Sequence, residues 1–388
     1  MVTLELPFGD RTLRVQTGAQ VHRLEPPHLG SPLTAVADLL DAALDAPIGS
    51  PRLEDRVRAG DRVTLIVSDA TRAEPRAALV AAVRRRLPAV RLTLAVATGT
   101  HGPSGGLAHL GIPDELVAGA AVVDHDGHDA RDLVDVGTTA RGTAVRVHRA
   151  AVEADLVVAT GVIRPHYFAG WGAGAKAIFP GLASATSARQ NHRWKEHPSA
   201  RAGVIDDNVC RLDLEEAARL AAPRAFLLDG VADADEQVRA AVAGDVDAAF
   251  RRGAALAAPW FGVRAPARSA SLIVVADRLP VTSSLYQASK CVAAVAPLLA
   301  PGGTVVVVAP CASGIGPVDV VNQAIYEIGL RPRLPADHRI VLVSTLDEAT
   351  VRPSYATWCP TVEDAIAGAR ELLVAPRASK LVLDVVDR

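Results

Sequence analysis

Strand-length runs of β-branched residues alternate with helical segments from residue 62 onward, and this alternation is the strongest constraint on the fold. The runs RVTLIVS (62–68), VRLTLAVA (90–97) and DLVVATG (155–161) are typical of buried strands. A helical pattern over 75–87 separates the first two. Parallel strands need crossover connections and are covered on both faces, so the alternation predicts parallel sheets flanked by helices.

A second alternation follows a stretch at 260–270 that gathers Pro, Gly and Arg. We place a domain boundary there and predict an α/β protein of two domains. Residues 1–265 would form a catalytic and cofactor-binding domain, and residues 266–388 a smaller α/β domain that closes the site. Each would hold a largely parallel sheet covered by helices, with the active site in the cleft between the domains. The segments predicted in the second domain are strands at 271–277, 304–310, 339–344 and 380–386 and helices at 284–300, 318–330 and 362–374.

Charge and hydropathy exclude several classes of partner. The 41 basic and 43 acidic residues leave a formal charge of −2, which provides no single-sign field for nucleic acid or an anionic membrane. Aromatic residues make up only 4%, so stacking platforms for single-stranded nucleic acid are not expected. The first residues lack a secretory pattern, and no apolar run is long enough to span a bilayer. We therefore expect a cytoplasmic protein.

Polar residues cluster just after the three predicted strands of the first domain. Asp69, Thr71 and Arg72 follow the first strand, His101 follows the second, and His166 follows the third. Ligands of open α/β sheets bind beyond the carboxyl ends of the strands, so these loops are expected to converge. Imidazoles move protons near neutral pH and arginine binds carboxylates, which favours acid–base chemistry beside the carboxylate of a small acid. Helix capping by Asp69, with a surface arginine, is the alternative interpretation.

A glycine-rich segment, GWGAGAKA (170–177), leads to Lys176. It lacks the third glycine of a dinucleotide fingerprint and the G-K-[ST] of a phosphate loop. Only four of the 41 basic residues are lysines, so a retained lysine suggests a need for an amine rather than a guanidinium. Lys176 could bind phosphate, form a Schiff base or carry a covalent cofactor, or it could be an exposed loop lysine.

Further candidates lie in two other segments. His192 and His197 are five residues apart and would diverge on a helix, so this segment is expected to supply one metal ligand at most. In the second domain, Gln287 and Lys290 are three residues apart and would share a helix face, where Lys290 could attract an anionic substrate. Trp358 lies in a predicted loop and is expected either to pack in the core or to wall a pocket.

These motifs, taken in order, resemble those of the lactate racemase family, whose members use a nickel-pincer nucleotide. The resemblance runs from SDATR (68–72) through GTH (99–101), IRPHYFAGWGAGAKAIFPG (163–181) and NH (191–192) to YQASK (286–290), and ends at Trp358. The spacing of His166, Lys176 and His192 is its most specific part.

The resemblance implies a role for each matching residue. Lys176 would carry the nickel-pincer nucleotide (nickel pyridinium-3,5-bisthiocarboxylic acid mononucleotide) through a thioamide, and His192 would bind the nickel. His101 and His166 would be acid–base residues on opposite sides of the substrate, and Arg72 would orient its carboxylate. The remaining implied contacts, to the nucleotide or to the closed site, are Asp69, Thr71, Gly174, Tyr286, Gln287, Lys290 and Trp358.

The reaction implied is racemisation or epimerisation of a 2-hydroxy acid by reversible hydride transfer to the cofactor, which maturation enzymes would supply. The family's Ser-Gly-Gly-type stretch is replaced here by Trp171-Gly172-Ala173-Gly174, so we expect Trp171 to influence substrate choice and leave the acid open. Two other interpretations of the residues remain: a lyase or aldolase that uses a Lys176 Schiff base, and a non-catalytic carboxylate-binding protein.

Overall fold

The computed structural model describes residues 1–386 of the chain. By its contacts the chain divides into two compact units, which we name by their place along the sequence. The central unit is His28–Trp260, and the terminal unit combines Met1–Pro27 with the chain from Phe261 onward. The division expected from the sequence was 1–265 and 266–388. The difference arises at the amino terminus, because residues 20–23 pair with residues 371–374 in one sheet.

Strands and helices are numbered along the chain. The strands are β1 (Val2–Phe8), β2 (Arg11–Thr17), β3 (Gln20–Arg23), β4 (Arg62–Ser68), β5 (Arg91–Ala97), β6 (Ala121–Asp124), β7 (Leu133–Thr138), β8 (Ala144–His148), β9 (Leu156–Ile163), β10 (Pro165–His166), β11 (Gly170–Trp171), β12 (Ala225–Ala232), β13 (Val238–Gly244), β14 (Gly262–Pro266), β15 (Ala270–Ala276), β16 (Leu299–Val308), β17 (Arg339–Val343), β18 (Thr357–Cys359), β19 (Glu371–Ala375) and β20 (Val382–Val386). The α-helices are α1 (Val36–Asp45), α2 (Arg76–Arg86), α3 (Asp114–Val117), α4 (Arg149–Val152), α5 (Ala185–His192), α6 (Val209–Ala221), α7 (Val246–Phe261), α8 (Leu285–Val295), α9 (Glu348–Val351) and α10 (Val362–Ala365). None of the helices within residues 1–386 is long and apolar enough to cross a membrane.

The central unit is built on a six-stranded sheet with the order β13-β12-β9-β4-β5-β6. All neighbours are parallel except β12 and β13. Every residue of β9 is buried, which explains its continuous apolar sequence. The chain moves from β4 outward to β5 and β6 and then returns to β9 on the other side of β4. This reversal of strand order lies between β4 and β9, and ligands of open α/β sheets bind beyond the carboxyl ends of the strands at such a point.

The terminal unit holds a parallel six-stranded sheet with the order β18-β17-β16-β15-β19-β3. Together the two sheets confirm the predicted α/β fold with largely parallel strands. The predicted helix at 362–374 was wrong: α10 ends at Ala365, Gly368 has a φ of +75°, and β19 begins at Glu371. The apolar run ELLVA is drawn into the sheet because β15 and β3 both pair with it. The helix predicted over 318–330 is π-helical from Val320 to Leu330.

Candidate active site

The loops after β4, β5 and β9 leave the same edge of the central sheet, and hydrogen bonds join them. Arg164 Nη2, after β9, donates to Ala73 O in the loop after β4 at 2.7 Å. Gly99 N, after β5, donates to Gly181 O, at the end of the glycine-rich segment, at 2.9 Å. The three loops that the sequence predicted to converge are therefore in direct contact.

Asp69 and His101 form a hydrogen-bonded pair at this edge. His101 Nδ1 lies 2.7 Å from Asp69 Oδ2, and the other oxygen, Oδ1, accepts hydrogen bonds from the backbone N and the hydroxyl of Thr71. Asp69 is buried whereas His101 is exposed. Because a carboxylate accepts at Nδ1, we assign the proton of the neutral imidazole to Nδ1, which leaves the Nε2 lone pair available as a base.

The contacts of Asp69 also fix its charge. Burial pushes the pKa of its carboxyl group up, but the hydrogen bonds from His101 and Thr71, together with the charges of His101 and Arg72, outweigh burial and leave the pKa below its usual value. Asp69 is therefore an anion at neutral pH and would stabilise a positive charge on His101. Both of its oxygens are already used within the chain.

Arg76, which sequence analysis did not single out, anchors the loop that carries these residues. It lies at the start of α2 and is only 7% exposed. Its guanidinium donates to three backbone carbonyl oxygens, those of Ser68, Asp69 and Arg72. These three bonds span the loop from Ser68 to Arg72. They therefore fix the backbone from which the side chains of Asp69 and the half-buried Arg72 extend. Because arginine is abundant in this chain, nothing in the sequence distinguishes Arg76 from the other arginines.

A second group of residues meets around the ring of Phe168, and we call it the aromatic cluster: His166, Tyr167, Phe168, Lys176 and His192. The Phe168 ring centroid lies 4.6 Å from that of His166 and 4.8 Å from that of His192, and both contacts are edge-to-face. Lys176 Nζ lies 5.7 Å from the same centroid, and Tyr167 stacks on His166 at 5.5 Å. Three residues chosen from the sequence thus meet around a fourth, Phe168, that was not chosen.

The two predicted acid–base histidines are held in different ways. His166 Nδ1 accepts a hydrogen bond from Ala169 N at 3.2 Å. That contact assigns the proton of the neutral ring to Nε2, the reverse of His101. His101 therefore offers an acceptor nitrogen, Nε2, and His166 offers a donor nitrogen, also Nε2.

The His192 imidazole is neutral, and its contacts orient the ring. Burial, with smaller effects from the charges of Lys176 and Lys195, lowers its pKa to about 3, so the imidazole is neutral. Its Nδ1 lies 3.2 Å from Asn191 Oδ1. Asn191 Nδ2 donates to Asp213 Oδ2 at 2.8 Å, and this bond orients the amide so that its oxygen faces His192. Nδ1 then carries the proton and Nε2 keeps its lone pair, as a metal ligand requires.

Within residues 1–386, no neighbouring side chains would complete with His192 a metal site made of protein alone. No group of three or more His, Cys, Asp or Glu side chains among residues 1–386 is placed to hold a metal ion. His197, the second histidine of the segment, is exposed and bonded to Ser199. A metal at His192 would need its other donors from a bound group, which fits a cofactor that carries its own donors beside Lys176.

Gly174 and Trp171 of the glycine-rich segment are held by hydrogen bonds to different parts of the central unit. Gly174 N donates to Asp229 Oδ2 at 2.9 Å. Trp171 is 2% exposed, and its indole Nε1 donates to Gly203 O at 3.1 Å. The Trp171 indole is therefore packed in the interior of the unit.

The remaining candidates lie in the terminal unit. Tyr286, Gln287 and Lys290 are on α8, and Lys290 Nζ donates to Gln287 Oε1, which confirms that these two side chains share a face. Trp358 lies on β18 rather than in a loop, and its Nε1 donates to Leu346 O at 2.8 Å.

Comparisons with known proteins identify the family and the fold. The family model described as "Lactate racemase N-terminal domain" matches residues 8–203. The lactate racemase of Lactiplantibacillus plantarum is 28% identical over 415 residues, which cover 96% of each chain. The lactate racemase of Thermoanaerobacterium thermosaccharolyticum is 27% identical over 379 residues, which cover 89% of this chain and 88% of that one. The solved structure of the lactate racemase apoprotein from T. thermosaccharolyticum superimposes with a TM-score of 0.86 at 24% identity, and the match covers 98% of this chain and 100% of that one.

Proposed function

The chain belongs to the family defined by the lactate racemase N-terminal domain, and on that premise we propose that it is a racemase or epimerase of a 2-hydroxy acid. The observation that carries the proposal is the meeting of His166, Lys176 and His192 around Phe168, beside the loop that holds His101 on Asp69. These side chains supply an amine, a neutral imidazole for a metal, and two imidazoles for proton transfer.

The cofactor that we propose is a nickel-pincer nucleotide, with Lys176 as its attachment point and His192 as the protein ligand to nickel. When bound, the group would supply an acceptor and donor of hydride for C2 of the substrate. The orientation of His192 by Asn191 and its neutral charge support this assignment. Maturation enzymes would supply the group, and the reaction would take place in the cytoplasm.

Arg72 and His101 would hold and activate the substrate. The Arg72 guanidinium would bind the carboxylate, which orients the hydroxyl group. His101 Nε2 would take the hydroxyl proton, and the Asp69 carboxylate would stabilise the imidazolium that forms. Because His101 and Asp69 are already bonded, the base is oriented before the substrate arrives.

His166 would act on the substrate from its own position in the aromatic cluster. Its Nε2–H would donate a hydrogen bond to the substrate oxygen while Nδ1 remains bonded to Ala169 N, and the proton taken by His101 would return to that oxygen when the 2-hydroxy acid is formed again. We propose that Tyr286, Gln287, Lys290 and Trp358 of the terminal unit also contribute to binding, and that Thr71 and Gly174 contribute to holding the nucleotide.

Chiral chromatography tests the proposed activity. The full-length protein, loaded with the cofactor, would be incubated with single enantiomers of aliphatic, aromatic and sugar-derived 2-hydroxy acids. We expect the enantiomers or epimers of at least one acid to interconvert, with a mass adduct at Lys176. The Lys176→Ala variant should lose both the adduct and the activity. Adduct-bearing protein that interconverts none of the acids would contradict the proposal, and borohydride trapping of a Lys176 imine would point to a Schiff-base lyase instead.

A further inference from the structure

The turn that leads to Lys176 has an unusual backbone. Ala173 has a φ of +62° and Gly174 a φ of +65°. The left-handed region is open to glycine but unfavourable for alanine, because its Cβ crowds the backbone. A backbone of this kind persists only where its surroundings hold it in place. The surroundings of this turn are therefore informative about how Lys176 is positioned.

Asp229 holds the turn from the sheet. It lies on β12, is fully buried, and accepts the Gly174 N–H on Oδ2 at 2.9 Å. Its neighbour in the sheet is Gly161 of β9. A Cβ on Gly161 would lie 3.1 Å from Ala173 Cβ and 3.4 Å from Asp229 Oδ1, so the absence of a side chain there makes room for both.

Arg211 holds the same turn from α6. It is fully buried, donates from Nη1 to Trp171 O at 3.1 Å, and lies over the Phe250 ring with its Cζ 3.6 Å from the centroid. A Cβ on Gly174 would lie 2.8 Å from Arg211 Nη2 and 2.5 Å from the Phe250 ring. The turn is thus enclosed between a buried carboxyl group and a buried guanidinium, without space to relax.

We propose that Asp229 is a positioning residue for Lys176: by fixing the Trp171–Gly174 turn, it places the Lys176 amine against Phe168 beside His192. The inference rests on the proposed function only in taking Lys176 as the residue that bears the cofactor. Burial, reinforced by the charge of Glu74 and opposed by the Gly174 hydrogen bond and by Arg211, raises the pKa of Asp229 to about 8. A neutral acid can accept the Gly174 hydrogen bond without the cost of a buried charge.

Competitive acylation of the lysines tests the proposal on the full-length chain without added cofactor. Native protein would be labelled with trace isotopic acetic anhydride, then denatured and labelled fully, so that mass spectrometry gives the native reactivity of each lysine. Lys290 and Lys380, in the terminal unit, serve as internal references. The variants are Asp229→Leu, which is similar in size but accepts no hydrogen bond, and Asp229→Asn, whose carbonyl oxygen still accepts one. Asp233→Asn is the matched control, because Asp233 is also buried but holds the turn between β12 and β13.

We expect Asp229→Leu to raise the acylation of Lys176 relative to the reference lysines by about tenfold, the factor that corresponds to losing one buried hydrogen bond. Asp229→Asn should restore the wild-type ratio, and Asp233→Asn should keep it. If Asp229→Leu does not fold, Asp229→Ser, whose shorter side chain does not reach Gly174 N, gives the same comparison.

Unchanged relative acylation of Lys176 in a folded Leu or Ser variant would overturn the proposal, as would an Asn variant that behaves like the Leu variant. A purely structural role would change all the lysines together or none. The readout needs no racemase activity, so failure of this inference can be told apart from failure of the proposed function.

Discussion

The Asp69–His101 pair and the aromatic cluster lie at the same edge of one sheet but are organised by different forces. The pair is held by charge-assisted hydrogen bonds, and the loop beneath it by the Arg76 guanidinium. The cluster is held by edge-to-face ring packing around Phe168. Hydrogen bonds keep the Asp69 carboxylate charged and the His101 imidazole oriented, whereas burial keeps the His192 imidazole neutral. The contrast suggests a division of labour between proton transfer and cofactor binding.

The largest expected effect is a difference in bound nickel between a variant in the aromatic cluster and a variant in the Asp69–His101 pair. His192→Ala should lose bound nickel and lower activity to background, because the remaining described residues near it offer no replacement cluster. His101→Ala should keep the nickel but lower kcat by roughly 10²–10⁴-fold, the usual contribution of a general base. Metal analysis and chiral assays of both variants measure this.

The control for that comparison is His197→Ala, in the same segment but exposed. It should behave as wild type in both assays. Nickel loss in His101→Ala, or full nickel content in His192→Ala, would contradict the division.

Asp69→Asn should lower kcat by about 10²-fold, because an amide can donate to Nδ1 and so move the imidazole proton to Nε2, where a base is needed. Nickel content should stay unchanged. For a racemised acid the two enantiomers have equal free energy, so kcat/KM must fall equally in both directions. Any asymmetry between His101 and His166 must then appear in kcat and KM separately, measured from each enantiomer. Thr71→Val, which removes a hydrogen bond to Asp69 but leaves the pair, is the control and should have a much smaller effect.

The carboxyl groups of Asp229 and Asp69 should affect the free energy of unfolding with opposite pH dependence. The pKa of Asp229 is raised to about 8, so its contribution to stability is complete below the unfolded pKa and is lost as the pH rises towards 8. Relative to Asp229→Asn, the wild type should therefore lose about 2 kcal/mol of unfolding free energy between roughly pH 6 and 8. The pKa of Asp69 is lowered, so its stabilisation is present above the unfolded value and is lost as the pH falls through the folded pKa.

Urea unfolding measures both effects when the wild type is compared with Asp229→Asn between roughly pH 6 and 8 and with Asp69→Asn as the pH falls below the ordinary carboxyl pKa of 3.8. A difference between wild type and Asp229→Asn that does not change with pH would mean that Asp229 does not retain its proton.

Phe168→Leu should lower the free energy of unfolding by about 1–2 kcal/mol, because part of a buried ring is lost. It should also lower nickel occupancy, since His192 would lose the ring that it packs against. Phe226→Leu, at a fully buried position on β12, is the matched control: it should cost similar stability and leave nickel occupancy unchanged. Equal occupancy in the two variants would show that Phe168 contributes only to packing.

The features predicted most accurately from the sequence are those that depend on the local pattern of residues. The strand at 62–68 has the predicted bounds because the residues in its interior, 63–67, are all buried and mostly β-branched. His166, Lys176 and His192 could be chosen because their order and spacing resemble a known family. Phe168 and Arg76 could not, because a buried phenylalanine and one more arginine look ordinary until their neighbours are known.

Strands whose pairing partners are far away in the sequence also could not be predicted from the local pattern of residues. Residues 1–61 gave no clear alternation, yet β1 and β2 form a hairpin and β3 joins a sheet whose other strands begin at Ala270. The run 362–374 looked helical in isolation, and only its position between β15 and β3 makes its end a strand.

The pairing of β3 with β19 has a consequence for the order of folding during synthesis. β3 leaves the ribosome long before its partner β19, because the whole central unit lies between them in the sequence. The central unit contains all the strands of its own sheet and can form while β3 still waits, exposed, for a neighbour. Nascent chains stalled before residue 371 would therefore display an unpaired strand, the kind of edge that recruits chaperones or joins another chain.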